Sequence, residues 1–154
     1  MYQKVLVPLD GSPLAECVLP HVEAFMKGFR STEVVLARVV ESEMPSYRGT
    51  AEIDPEILAE REAEKISFAK DYLNQVAARI KQEGTTIQTE VLMGVVTESL
   101  IDYVGKRDIE LIFIATHGRS GVTRWVRGSV ADKILRSANV PVLMVRAPGT
   151  KGEI

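Results

Sequence analysis

The sequence predicts a doubly wound α/β domain, a parallel five-stranded sheet with helices on both faces. Two observations carry that prediction. Short apolar runs, Val5-Leu6-Val7, Val34-Val35-Leu36-Ala37 and Leu111-Ile112-Phe113-Ile114-Ala115, alternate with stretches of helical apolar spacing. Near-continuous apolar strands mark a parallel sheet covered on both faces. A capping side chain followed by proline also occurs twice behind a strand, at Ser12-Pro13 and Asp54-Pro55, which is a helix-start signal. Alternating strands and helices imply parallel crossovers, which are almost always right-handed.

The first strand ends at Pro8. The first helix, capped by Ser12, is expected to reach about Arg30 and to bury Val18, Val22, Phe25 and Phe29. Pro20 falls inside that span. An interior proline costs about 3 kcal/mol, so a kink or a late start of the regular helix is expected. Glu33 to Val40 reads as the second strand, and Glu41 to Asp54, with Pro45 and Gly49, as a long loop; such loops are more often functional or disordered than plain connections. A long helix then runs to about Gln82, with Ile66, Ala69, Leu73, Val76 and Ile80 as one buried stripe. Ile87 to Met93 is the third strand. Thr97 is the expected cap of a short helix burying Leu100, Ile101 and Val104. Leu111 to Ala115 is a central strand, Ser129 to Ala138 the last helix and Val140 to Arg146 the fifth strand. The domain is expected to occupy residues 1–147, with 148–154 a loose tail.

At 154 residues the chain suits one domain and can bury a core without disulfide or metal staples. Lys and Arg total 19 against 21 Asp and Glu, a balance with no global attraction to nucleic acid or an anionic membrane. The single cysteine, Cys17, excludes an internal disulfide framework and a multi-cysteine zinc site. No signal-peptide pattern opens the chain and no apolar stretch reaches the roughly 18 residues of a membrane span. The expectation is a soluble cytoplasmic protein with neither nucleic acid nor membrane as partner.

Doubly wound sheets bind ligands beyond the carboxyl ends of the strands, where the strand order reverses. The turns to search are Pro8 to Ser12 and Thr116 to Ser129. In the second, Gly118, Gly121 and Gly128 permit close backbone approach. Gly128-Ser129 leads into a helix whose free N–H groups attract anions, and Arg119, Arg124 and Arg127 add positive charge. Backbone donors, a hydroxyl and arginines suit phosphate oxygens; a glycine turn with solvated arginines fits the same residues. Asp10 either accepts hydrogen bonds from a ligand or caps the following helix with Ser12. His117 either meets a ligand or holds the turn, and Trp125 is either an adenine platform or a packing contact. The chain has no Gly-x-x-x-x-Gly-Lys-Ser/Thr loop, no Gly-x-Gly-x-x-Gly after the first strand and no Gly-x-Ser-x-Gly elbow. No catalytic residue is assigned.

The opening Val5-Leu6-Val7-Pro8-Leu9-Asp10-Gly11-Ser12 and the stretch Ile114 to Arg146 resemble the universal stress protein family along almost the whole chain. The resemblance implies the strand order 3-2-1-4-5. The family's nucleotide-binding branch carries Gly-x-x-Gly, nine residues, then Gly-Ser/Thr. Gly118 matches the second glycine and Gly128-Ser129 the close, while Ala115 stands where the first glycine would be. If that position needs a positive φ, the methyl costs on the order of 1 kcal/mol; if it needs only close approach, the methyl is tolerable.

By position, the resemblance places Pro8, Leu9 and Asp10 beside the nucleoside, with Asp10 near ribose, and the backbone of Val39 at the adenine edge. Ile114 and Ala115 form the floor, and Gly118, Arg119, Gly128, Ser129 and Val130 surround the phosphates. The implied ligand is ATP or another adenine nucleotide, with Mg²⁺ or Mn²⁺ held mainly by phosphate and water. It also implies a homodimer paired through the fifth strand near Val140 to Val145, where an apolar edge would otherwise invite uncontrolled pairing. The leading expectation is an ATP-binding stress-response or regulatory protein acting as a nucleotide-dependent dimer. The alternatives are a nucleotide-free dimeric interaction protein and a slow ATP hydrolase, the latter lacking an evident base.

Overall fold

The computed structural model describes residues 2–42, 54–116 and 130–148. Strands β1 (Lys4–Pro8), β2 (Glu33–Val40), β3 (Thr86–Met93), β4 (Leu111–Thr116) and β5 (Val142–Arg146) form one sheet in the order β3-β2-β1-β4-β5. Every pairing is parallel. The expected class and strand order are therefore present.

Strand alternation divides the core into two layers. Val5, Val7, Val34, Leu36, Leu111 and Phe113 point to one face, where they meet Val22 and Met26 of α1 (Leu19–Gly28) and Leu73, Val76 and Ile80 of α2 (Pro55–Ile80). Leu6, Val35, Ala37, Ile112 and Ile114 point to the other, against Leu100 and Val104 of α3 (Val96–Lys106) and Ala131 and Ile134 of α4 (Val130–Ser137). The central strands are apolar on both faces because each face carries a helical layer.

Of the two outcomes expected from Pro20, the first helix takes the late start. A 3-10 turn spans Ala15–Val18 and α1 begins only at Leu19, which places Pro20 in its first turn. There the missing N–H has no intrahelical partner to lose, so the proline sets the start instead of kinking the interior. The buried residues are Val18, Leu19, Val22 and Met26. Phe25 and Phe29 are half-buried rather than buried. They stack on each other at 4.6 Å, and Phe25 meets Phe113 edge-on at 5.2 Å.

α2 starts as expected: Asp54 Oδ1 accepts a 3.0 Å hydrogen bond from the Glu56 N–H, with Pro55 behind it. Thr97 does not cap α3. The extended Val95 precedes the helix, which begins at Val96, so Thr97 already lies in its first turn. Tyr103 is buried there in place of the half-buried Ile101. β5 begins at Val142, not Val140. Pro141 has no N–H to give, and its carbonyl instead accepts from Ile112 N at 3.0 Å. Most of the loop expected at Glu41 to Asp54, and the tail beyond residue 148, lie outside the described residues.

Candidate ligand site at the strand switch

β1 is the turning point of the sheet. It pairs with β2 along its whole length, from Lys4↔Glu33 to Pro8↔Ala37. Its pairing with β4 comprises only Val5↔Leu111 and Leu6↔Ile112. Past those pairs each strand follows its outer neighbour. Leu9 N donates to Ala37 O at 2.8 Å on one side, and β4 stays in register with β5 through Thr116↔Arg146 on the other. A crevice opens between the carboxyl ends of β1 and β4, as the reversal of strand order requires.

A cavity of about 220 Å³ occupies that crevice. Pro8, Leu9 and Asp10 wall it on the β1 side, Ile114 and Ala115 on the β4 side, with Val39 of β2 and Val130 of α4 also in contact. These are seven of the residues named from the sequence. Gly118, Arg119, Gly128 and Ser129, with His117 and Trp125, lie outside the described residues. Leu14, Ala15, Ala37, Val96, Leu100, Thr116 and Ala131 complete the described lining, and the sequence reading named none of them as site residues. One signal was available: Ala37 and Ala115 are small residues in the carboxyl halves of strands whose buried positions are otherwise Val, Leu, Ile and Phe, and room for a ligand comes from such positions.

Both readings of Asp10 bear on its geometry. Its Oδ1 accepts from Ser12 N at 2.8 Å and from Ser12 Oγ at 2.6 Å, and Ser12 Oγ in turn accepts from Ala15 N at 3.2 Å. The carboxylate thus closes the turn that starts the 3-10 segment. Asp10 remains exposed and borders the cavity, and both turn contacts fall on the one oxygen. Gly11 follows with φ +87°, a conformation that glycine adopts without a Cβ penalty.

Ala115 is an ordinary strand residue, paired with Val145. Among the described residues Asp108 is the one non-glycine with positive φ. The backbone here therefore carries no strain from the methyl group, and Ala115 is part of the cavity wall while packing against the core on the α1 and α2 face. Cys17 is half-buried and burial pushes its thiol up from its ordinary value, the opposite of an activated nucleophile. Among the described residues no group of three or more His, Cys, Asp or Glu is placed to hold a metal, and no helix is long and apolar enough to cross a membrane.

A parallel 3-2-1-4-5 sheet with its crevice at β1 and β4 defines the class of open α/β proteins that take a ligand at the strand switch. Within that class the family is shown by sequence. Residues 1–146 match the model of the universal stress protein family, and the chain belongs to that family. Universal stress protein MJ0531 of Methanocaldococcus jannaschii is 30% identical over 152 residues, covering 96% of this chain and 84% of the relative. The solved structure of MJ0577, from the same organism, superposes with a TM-score of 0.79 at 25% identity, covering 97% of this chain and 99% of that one. A universal stress protein solved in complex with cAMP shares the fold with a TM-score of 0.71 at 20% identity, covering 96% of this chain and 99% of that chain.

Proposed function

We propose that this protein binds an adenine nucleotide, ATP first, at the β1–β4 crevice and acts as a regulatory or stress-response device. The observation that carries the reading is the cavity itself, sited where β1 and β4 part and walled by Pro8, Leu9, Asp10, Val39, Ile114 and Ala115. Its volume of about 220 Å³ lies just below the roughly 300–1,000 Å³ of small-molecule sites, which suits a nucleoside with its phosphates running outward. The chemistry of the walls fits such a group. Aliphatic side chains and Pro8 offer apolar faces to a base, and Asp10 offers an acceptor for ribose hydroxyls. The first turn of α4, at Val130, lies where phosphate would emerge, and N–H groups at a helix start favour anions. The family resemblance assigns the phosphates to Gly118, Arg119, Gly128 and Ser129, which lie outside the described residues. A divalent cation would enter with the phosphates and be held mainly by them and by water. The cAMP complex of a relative with the same fold is a second support.

A nucleotide controls such a protein by binding one of its states better than another. We assign that role to a homodimer formed through β5, an edge strand on which Leu143 is 39% exposed. An apolar edge of this kind is stable in solution only when paired or covered. Sedimentation is expected to give a dimer and Leu143→Asp a monomer; a monomeric parent would remove the dimer from the account. The adenine reading is tested by displacement of a fluorescent ATP analogue. ATP and AMP should compete and GTP should not, and equal competition by GTP would contradict it.

A further inference from the structure

We propose that Arg38 is a positioning residue for the Asp10 turn and, through it, a determinant of ribose recognition; this rests on the nucleotide reading above. Arg38 precedes Val39 in β2, so alternation sends its side chain to the α2 face while Val39 faces the cavity side. Its guanidinium carbon lies 5.2 Å from the Tyr72 ring centre and 5.7 Å from that of Phe68, both on α2. Among the described residues no carboxylate forms an ion pair with it.

What the guanidinium does touch is the turn. A Cβ on Gly11 would fall 2.9 Å from Arg38 Nη1 and 3.1 Å from Cζ. The guanidinium therefore occupies the space beside the Gly11 α-carbon that a side chain would take. Gly11 follows Asp10 directly, and its φ of +87° belongs to a residue with wide backbone freedom. The far end of the same segment is held from α2 as well. The Tyr72 hydroxyl donates to Glu16 Oε1 at 2.9 Å, and Arg79 Nη2 donates to the same oxygen at 2.8 Å. Residues 10–16 are thus held at both ends: Arg38 of β2, seated on the Tyr72 and Phe68 rings of α2, bears on Gly11, while Tyr72 and Arg79 of α2 anchor Glu16. A flat, always-charged guanidinium fits an aromatic seat on one side and a glycine backbone on the other, which an ammonium does not. Asp10 is exposed at the border of the cavity, and the place of its carboxylate depends on the turn behind it being fixed.

The test compares binding of ATP and 2′,3′-dideoxyATP by calorimetry to the full chain and to Arg38→Met, Arg38→Lys and Phe68→Leu. The parent should prefer ATP by about ten-fold or more, the worth of a hydrogen bond to a charged acceptor. Arg38→Met should weaken ATP to the level of the dideoxy analogue while leaving the analogue's affinity unchanged. Arg38→Lys should restore only part of the preference. A merely structural role would weaken both ligands alike, and that result, or a preference intact in Arg38→Met, overturns the proposal. Should Arg38→Met fail to fold by its melting curve, Phe68→Leu decides. Phe68 is 68% exposed, and its loss should lower the preference without unfolding the protein; an unchanged preference contradicts the inference. A parent that binds ATP and its dideoxy analogue equally overturns the role of Arg38 and leaves nucleotide binding standing. A parent that binds no ATP refutes the nucleotide reading itself.

Discussion

Ala115 stands where the resemblance would put the first glycine of a nucleotide-binding motif. It occupies an ordinary β4 position, paired with Val145 and free of positive φ, so the backbone argument against binding falls away and only the methyl's bulk remains. Ala115→Gly should leave the ATP dissociation constant within about two-fold while lowering stability by about 0.5–1 kcal/mol, the cost of glycine within a regular element. Calorimetry and denaturant melts check both parts; a large gain in affinity would show that the methyl obstructs the site. The sequence could name Ala115 but not its dihedral angles, since those depend on β5 alongside. It could name Asp10 but not choose between turn closure and ligand contact. Arg38 was illegible altogether, because its meaning lies in Gly11 and Tyr72, far apart in sequence and joined only by the fold.

Elements were legible where local chemistry and packing agree. β2 spans Glu33–Val40 and α2 opens on its Asp54 cap as read, each having an apolar pattern and a stop signal of its own. The starts of α3 and β5 were misplaced, and that of α1 was read only as a kink or a late start. Pro20 takes the first turn of α1, Val95 rather than Thr97 precedes α3, and Pro141 delays β5. Each depends on where neighbouring backbone satisfies the terminal N–H and C=O groups. The contact between α2 and the 3-10 turn has its own signature. Burial first, then the hydrogen bond and charge of Glu16, push the Tyr72 phenol well above its ordinary value. The folded protein therefore holds this proton more tightly than the unfolded chain. The stabilisation is complete below about pH 10, the ordinary tyrosine value, and is lost as pH rises through the folded one. Denaturation from pH 8 to 11.5 should show stability falling above pH 10, and Tyr72→Phe should fall less steeply. An equal slope in the variant would contradict the assignment.

At the scale of the molecule the fold was legible because one pattern, apolar strand then amphipathic helix, repeats through the chain. The crevice was legible in position because a doubly wound topology has one place where strand order reverses. The cavity stands there, between the parting ends of β1 and β4. The most direct measurement is calorimetric titration of ATP with magnesium into protein shown to be nucleotide-free by absorbance and mass spectrometry. Saturable binding near one ATP per chain, abolished by Gly128→Val, is the predicted result. No heat of binding at millimolar ATP would contradict the account and leave the protein a nucleotide-free member of its family.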